Sequence, residues 1–358
     1  MRSFVYNSHP VRVIFGPGTA SRVADEVRRL DRSRVLLLGG EHVRHQAELV
    51  EKYLGDLQIA RFDGAVMHTP VEVTERVLGV VTEHDVDAVV AVGGGSTTGL
   101  AKALARRTGI DQVILPTTYA GSEVTPVLGE TADGVKTTRS SPDILPETVI
   151  YDVEFTTSMP IPLAVTSAIN AMAHAIEALY SEQANPIVDA LALEAVAAIA
   201  RGIPALGADS ADPEGRSDLL LAAWLSGTCL ASAGMGLHHK LCHVLGGSFD
   251  LPHAATHTVV LPHALAYNEP SVPHVMTRIA QALGTDSAPA GVYDLVAAAG
   301  GPTSLEELGM RESDLDEAAR LATAKPYPNP REVTEVGVRR LLGEAFAGTR
   351  PEPAQKSS

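Results

Sequence analysis

Aromatic residues are scarce in this chain: Phe, Trp and Tyr make up 4% of 358 residues, with a single Trp. The hydrophobic fraction is still 45%, so packed cores must be aliphatic, and a disordered or fibrous chain is excluded. Cysteine is almost absent. Cys229 and Cys242 are too few for a disulfide framework, which points to a reducing cytoplasm. Positive charge is in deficit, with 28 Lys and Arg against 43 Asp and Glu and a formal net charge of −15. Such a chain repels phosphate backbones, which argues against nucleic-acid binding. It does not argue against a small anionic substrate met by a local positive cluster. No apolar run reaches about 18 residues, so no spanning helix and no membrane partner is expected. The opening MRSFVYNSHPVRVIF lacks the apolar stretch and small-residue cleavage site of a signal peptide.

The length suggests two domains. Short apolar runs at 34–38, 57–62, 87–92, 112–115 and 148–151 read as strands, with helix-compatible stretches reaching Leu54 and covering 71–83 and 97–107. Strands alternating with helices predict βαβ units and a parallel sheet. GETADGVK, with Asp133-Gly134 at its centre, predicts a hairpin. After Pro160 and Pro162 the character changes. Segments 163–181, 187–203, 216–231, 237–246, 272–283, 291–299 and 312–324 are helix-compatible and Ala/Leu-rich, and convincing strands are missing. The sequence therefore predicts an α/β domain over 1–157, an all-α domain over 158–348 and a disordered polar tail over 349–358.

Two glycine-rich or polar turns follow predicted strands. VVAVGGGSTTGLAKAL is a strand, a glycine cluster and a helix start, where free N–H groups attract a phosphate. It is not a G-x-G-x-x-G match, and tight strand–helix packing would also explain the glycines. The second turn, PTTYAGSE, is either part of the same ligand site or a Ser/Thr helix cap.

Histidine is concentrated rather than scarce. Of 13 histidines, six lie between 238 and 263: His238, His239, His243, His253, His257 and His263. His239 and His243 are four apart and share a helix face, and Asn170 and His174 repeat the spacing. His253 follows a Gly-Gly turn and Pro252, as a loop residue. One reading is a divalent metal, although Asn170 supplies no carboxylate. Another is a metal-free pocket whose imidazoles bind carboxylates and move protons. A third is a set of packing histidines. Lys240 in HHKLCH, and Lys325, Tyr327 and Arg331 in KPYPNPR, favour an anion pocket, though an ordinary solvated loop accounts for Lys325 and Arg331 singly. Cys242 reads as a small core residue.

Taken together, GGGS followed by AK, then PTTYAGSEVTP, NAMAHAIEALY and HHKLCHVLGGSFDLPHAATHTVVLPH, resemble the iron-containing alcohol dehydrogenase superfamily. The resemblance covers essentially the whole chain, from FGPG at 15–18 onward. It implies a dehydroquinate synthase-like fold: a Rossmann-like, parallel-sheet N-terminal domain and a helical C-terminal domain, with an active site in the cleft between them. Within the superfamily the phrases with Asn170 and MGLHHKLCHVLGG are similar to the maleylacetate reductase family. That family reduces maleylacetate to 3-oxoadipate with NADH or NADPH in the breakdown of aromatic compounds. The alternative is a metal-dependent NAD(P) alcohol dehydrogenase acting on a small alcohol or aldehyde.

What the resemblance implies can be carried over residue by residue. Metal-dependent members usually have Asp where Asn170 stands, with His174, His239 and His253 as their other ligands, so the departure favours a metal-independent reductase. Gly93, Gly94, Gly95 and Ser96 would hold the pyrophosphate, beside Gly39 and Gly40. Thr117, Thr118 and Ser122 would line the ribose and nicotinamide side, and Lys136 would reach a ribose or phosphate. Thr98 and Gly40 stand where many relatives carry Asp. Loss of the charge at Gly40 leaves NADPH open, with Arg44 as a partner for its extra phosphate. His243 would lie beside the nicotinamide and, with His253, polarise the substrate carbonyl or deliver the proton. His174, His238, His239 and Lys240 would shape the pocket and bind carboxylate. A cytoplasmic homodimer acting on a small dicarboxylate is expected.

Overall fold

The computed structural model describes residues 3–132 and 134–352; Asp133, the side chain of Lys136 and the segment 353–358 lie outside it. The chain forms two compact units. One is Ser8–Met159; the other begins at Pro160 and includes the first described residues, up to Asn7.

The first unit is α/β. Its elements in order are β1 (Arg12–Phe15), α1 (Val23–Arg29), β2 (Val35–Leu38), α2 (Arg44–Leu54), β3 (Gln58–Phe62), α3 (Val71–Glu83), β4 (Ala88–Gly93), α4 (Gly95–Thr108), β5 (Asp111–Pro116), β6 (Val127–Ala132), β7 (Val135–Ser140) and β8 (Thr148–Tyr151). Six strands make one sheet in the order β1-β8-β5-β4-β2-β3, and every neighbouring pair is parallel. β2 and β4 are buried along their whole length, as continuous apolar runs covered on both faces should be. One face packs Val35, Leu37, Val90, Val92 and Leu115 with Val23, Val27 and Val50 of the helices.

The chain leaves β2 toward β3 and returns to lay β4 on the other side of β2. The order therefore reverses between β2 and β4, and the carboxyl ends of these two strands are where an open parallel sheet takes a ligand. β6 and β7 form a separate antiparallel hairpin, with Thr131 opposite Lys136 and Gly134 at φ +74° in the turn.

The second unit is helical: α5 (Ile161–Leu179), α6 (Pro186–Ala208), α7 (Pro213–Ser232), α8 (Leu237–Phe249), α9 (His253–Asn268), α10 (Pro273–Leu283), α11 (Ala288–Ala298), α12 (Leu315–Thr323) and α13 (Glu335–Phe346). Prolines open several of these helices, where a missing N–H costs nothing, and Asn185, Asp212, Ser287 and Thr334 cap first-turn N–H groups. α5 is buried almost throughout.

Three expectations need correction. α9 and α13 are absent from the sequence-based helices because Pro262, Gly337 and Gly343 sit inside them. His253 is consequently not a loop residue; it is the first residue of α9. Nor does a disordered tail begin at Thr349. Thr349 N donates to Glu344 O at 3.0 Å, Arg350 binds Asp294 through two contacts of 2.7 Å, and Pro351 is buried. Among the described residues no single helix is long and apolar enough to cross a membrane.

Candidate active site

In the α/β unit, β4 runs directly into the glycine cluster. Gly93 has φ +156°, and a Cβ there would collide with Thr97 Oγ1. At Gly94 a Cβ would sit 2.9 Å from Thr118 Cγ2. α4 then begins at Gly95 with no side-chain cap, leaving its first-turn N–H groups without an intrahelical or side-chain acceptor. Ser96 is half-buried beside them, and Thr98 is buried. Gly39 and Gly40 follow β2, the adjacent strand; a Cβ on Gly39 would press to 2.7 Å from Asp63 Oδ1. The two turns are tied together, since Thr117 N donates to Gly93 O at 3.1 Å. Ser122 Oγ is buried with no hydrogen-bond partner. Glycines with no room for a side chain at 93 and 94, free N–H groups at the start of α4, and an orphaned hydroxyl in the turn tied to them all fit a dinucleotide.

Sequence reasoning missed the residue that holds this second turn. Lys102, on α4, is fully buried. Its ammonium donates to the carbonyls of Ser122 (2.5 Å), Thr125 (2.7 Å) and Val127 (2.9 Å) and to Thr125 Oγ1 (3.0 Å). Burial pushes its pKa down to about 7, opposed by the charge of Glu123. Glu123 is buried too, which raises its own pKa, and accepts a 2.8 Å bond from Tyr151 Oη. The available signal was a lone cation inside the apolar run Leu100–Leu104.

In the helical unit, α5, α8 and α9 bring six histidine rings into one network. His174 (α5) stacks on His239 (α8) at 4.9 Å between centroids. His257 (α9) is the hub, 5.0 Å from His239, 4.8 Å from His238 and 4.5 Å from His253. His238 Nε2 and His257 Nδ1 share a 2.9 Å hydrogen bond. His243 stands one turn beyond His239, at 6.3 Å. Burial grades across the cluster: His174, His238, His239 and His257 are buried, whereas His243 and His253 are exposed. Burial, followed by the neighbouring imidazoles, holds His174, His238 and His257 well below the usual imidazole pKa, so they are neutral.

Asn170 lies one turn before His174 on α5, and its Oδ1 is buried without a partner, as are His174 Nδ1 and His239 Nε2. Lys240 is half-buried on α8. His263, counted with the cluster on sequence spacing, makes no ring contact with it; burial alone pushes its pKa down to about 4.

Two residues of this site went unread in the sequence. His257 was counted but given no role. Glu177 stood inside the phrase NAMAHAIEALY without a role, yet it is a carboxylate bonded directly to the cluster. Fully buried on α5, it accepts from His238 N at 2.9 Å, His239 N at 3.3 Å and His239 Nδ1 at 2.5 Å. It therefore anchors the start of α8 and fixes the His239 proton on Nδ1, which makes Nε2 an acceptor. The signal was again a lone charge in an apolar helix, one turn past His174.

A parallel-sheet unit with a glycine cradle and a helical unit with a histidine network define a class. The family description "iron-containing alcohol dehydrogenase" matches residues 10–153, and "Fe-containing alcohol dehydrogenase family, C-terminal" matches 164–346. The chain belongs to the iron-containing alcohol dehydrogenase family. Within that family it is 60% identical over 348 residues to maleylacetate reductase 1 of Rhodococcus opacus, covering 97% of this chain and 98% of that one. A crystal structure of maleylacetate reductase from Agrobacterium tumefaciens superposes with a TM-score of 0.95 at 48% identity, covering 98% of this chain and all of that one. An iron-containing alcohol dehydrogenase from Corynebacterium glutamicum superposes at 0.93 with 42% identity, covering 98% of each chain.

Proposed function

We propose that this chain reduces the carbon–carbon double bond of maleylacetate to 3-oxoadipate with NADH or NADPH, without a catalytic metal. The end-to-end similarity to maleylacetate reductases carries the reading. We assign cofactor binding to the glycine cradle, with Lys136 on β7 in the same role, and carbonyl activation to the histidine network. Bound on the cradle, NAD(P)H supplies the hydride. Maleylacetate conjugates its alkene to a ketone, so reduction at the far alkene carbon drives negative charge onto the ketone oxygen. That enolate-like charge needs hydrogen-bond donors. We assign this role to His243 and His253, the two exposed rings, one of which also returns the proton to carbon. The buried rings hold them in place, and Lys240 contributes positive charge for a carboxylate.

The donors present do not fit a divalent metal well. Asn170, His174, His239 and His253 bring no carboxylate or thiolate to a divalent metal, and Glu177, the carboxylate bonded to His239, is engaged by three N–H groups of α8. His238, Cys242 and His257 have donor atoms within 4.8 Å of one another, but two of the three already bond each other. Both cysteines are free thiols, consistent with a reducing cytoplasm, and a homodimer completes the reading.

The test is an assay on chelator-treated protein of measured metal content, following nicotinamide absorbance after adding maleylacetate. It is run on wild type and on His243→Asn and His253→Asn. Turnover without metal, with both variants slowed by about 100-fold, is expected. Activity that returns only with zinc or iron would move the alcohol dehydrogenase reading to the front. Two variants as fast as wild type would remove the histidine assignment.

A further inference from the structure

The segment between α12 and α13 forms a cavity of about 260 Å³ that the reading above leaves unused. Thr323, Lys325, Tyr327, Asn329, Arg331 and Glu332 are among its lining residues. The neighbouring arginines Arg311, Arg320, Arg339, Arg340 and Arg350 each pair with a carboxylate. Lys325 and Arg331 form no such pair among the described residues, although Glu332 lines the same cavity. Both residues are exposed to solvent. Arg331 is held in place by donating to Tyr267 O at 2.7 Å and lying 4.4 Å over that ring. The Tyr327 hydroxyl is buried with no hydrogen-bond partner. Burial, then the charge of Glu177, keeps it far above the ordinary phenol range, so it remains a donor.

Glu177 also connects this cavity to the histidines. It holds His239, and a Cβ on Gly236, one residue before α8, would lie 3.3 Å from Glu177 Oε1 and 3.2 Å from both Asn329 Oδ1 and Pro328 O. Asn329 Oδ1 accepts from Leu237 N at 3.4 Å and from Asn268 Nδ2 at 3.2 Å. The cavity wall and the histidine helix are thus joined through the same few atoms.

We propose that this cavity is a carboxylate subsite, in which Lys325 and the Tyr327 hydroxyl take the carboxylate on the acetate arm of the substrate. It rests on the maleylacetate reading for the identity of that substrate. The alkene arm is committed to the reaction, whereas the acetate arm is free to be anchored. Two oxygens on one carboxylate match one ammonium and one phenol as donors, and Arg331 adds positive field.

The experiment compares kcat/KM for maleylacetate with that for cis-acetylacrylate, an enone that lacks only this carboxylate. The comparison is made in wild type, Lys325→Met and Tyr327→Phe. The preference for the dicarboxylate is expected to fall about 10-fold or more in each variant. General damage to the fold lowers both values and leaves their ratio alone. An unchanged ratio, with wild type active on maleylacetate, overturns the subsite and leaves the reductase reading standing. If wild type fails to reduce maleylacetate, that reading falls, and titration with adipate against hexanoate decides the subsite separately. Loss of adipate preference in the variants supports it; equal preference in all three proteins overturns it.

Discussion

Each unit contains a buried charged side chain at the centre of a hydrogen-bond cluster, and the two charges have opposite sign. Lys102 in the α/β unit gathers three carbonyls and a hydroxyl from residues 122–127. Glu177 in the helical unit gathers two backbone N–H groups and a ring N–H from the start of α8. The cation shapes a loop, since carbonyls turned inward are what an irregular segment has to offer. The anion instead meets a helix N-terminus, where unpaired N–H groups and the helix dipole both favour negative charge. Lys102 touches only backbone and one hydroxyl, so its effect on a ligand is indirect. Glu177 touches a ring of the histidine network, so it fixes that ring's proton as well as the shape of the helix start.

That contrast can be broken from the strongest effect downward. Glu177→Gln keeps an acceptor for one N–H but can turn its amide toward His239 Nδ1 and move the ring proton to Nε2. We expect kcat to fall about 100-fold while the dissociation constant for NAD(P)H stays within a factor of about two. Equal losses in both would show that Glu177 acts on the whole fold. Lys102→Met has the same length and leaves four oxygens without their donor. It should cost about 3 kcal/mol of unfolding free energy and raise KM for the cofactor, with kcat at saturation little changed. Denaturant melts and cofactor titrations read the two effects separately.

His263 carries the smallest expected effect at neutral pH and tests whether buried neutral histidines limit acid stability. Its folded pKa of about 4 lies below the unfolded value. Between those values the unfolded chain binds the extra proton, so stability falls as the pH drops below about 6.5, by up to about 1.4 kcal/mol per pH unit. His263→Leu should flatten that limb in melts taken between about pH 6.5 and pH 4. A limb unchanged in slope would assign the acid loss elsewhere.

The sheet was legible because β2, β4 and β5 are short apolar runs separated by helical stretches, a pattern with few other solutions. The helical unit was legible as a class but not in full. α9 mixes histidines, threonines and Pro262, so its helical period is obscured, although its burial in the unit decides the matter. The paired His239 and His243 and the paired Asn170 and His174 could be placed on helix faces by spacing alone. That His174 meets His239, and that His257 joins them to His253, depends on how α5, α8 and α9 pack, which no local pattern encodes. Lys102 and Glu177 left a trace, a single charge amid alanines and leucines, but nothing in the sequence says which partner each one meets.

The bond between His238 Nε2 and His257 Nδ1 has a consequence in terms of counting. Each ring is neutral and holds one proton, and one hydrogen bond joins them, so only two arrangements satisfy the pair. In one, His238 donates and His257 carries its proton on Nε2. In the other, His257 donates and its Nε2 is bare. The outer nitrogen of His257 can thus present either a donor or an acceptor while the total charge stays fixed. Passing from one arrangement to the other takes three proton shifts in concert, off His257 Nε2, across the shared bond and onto His238 Nδ1, and the His253 ring stands 4.5 Å from that of His257.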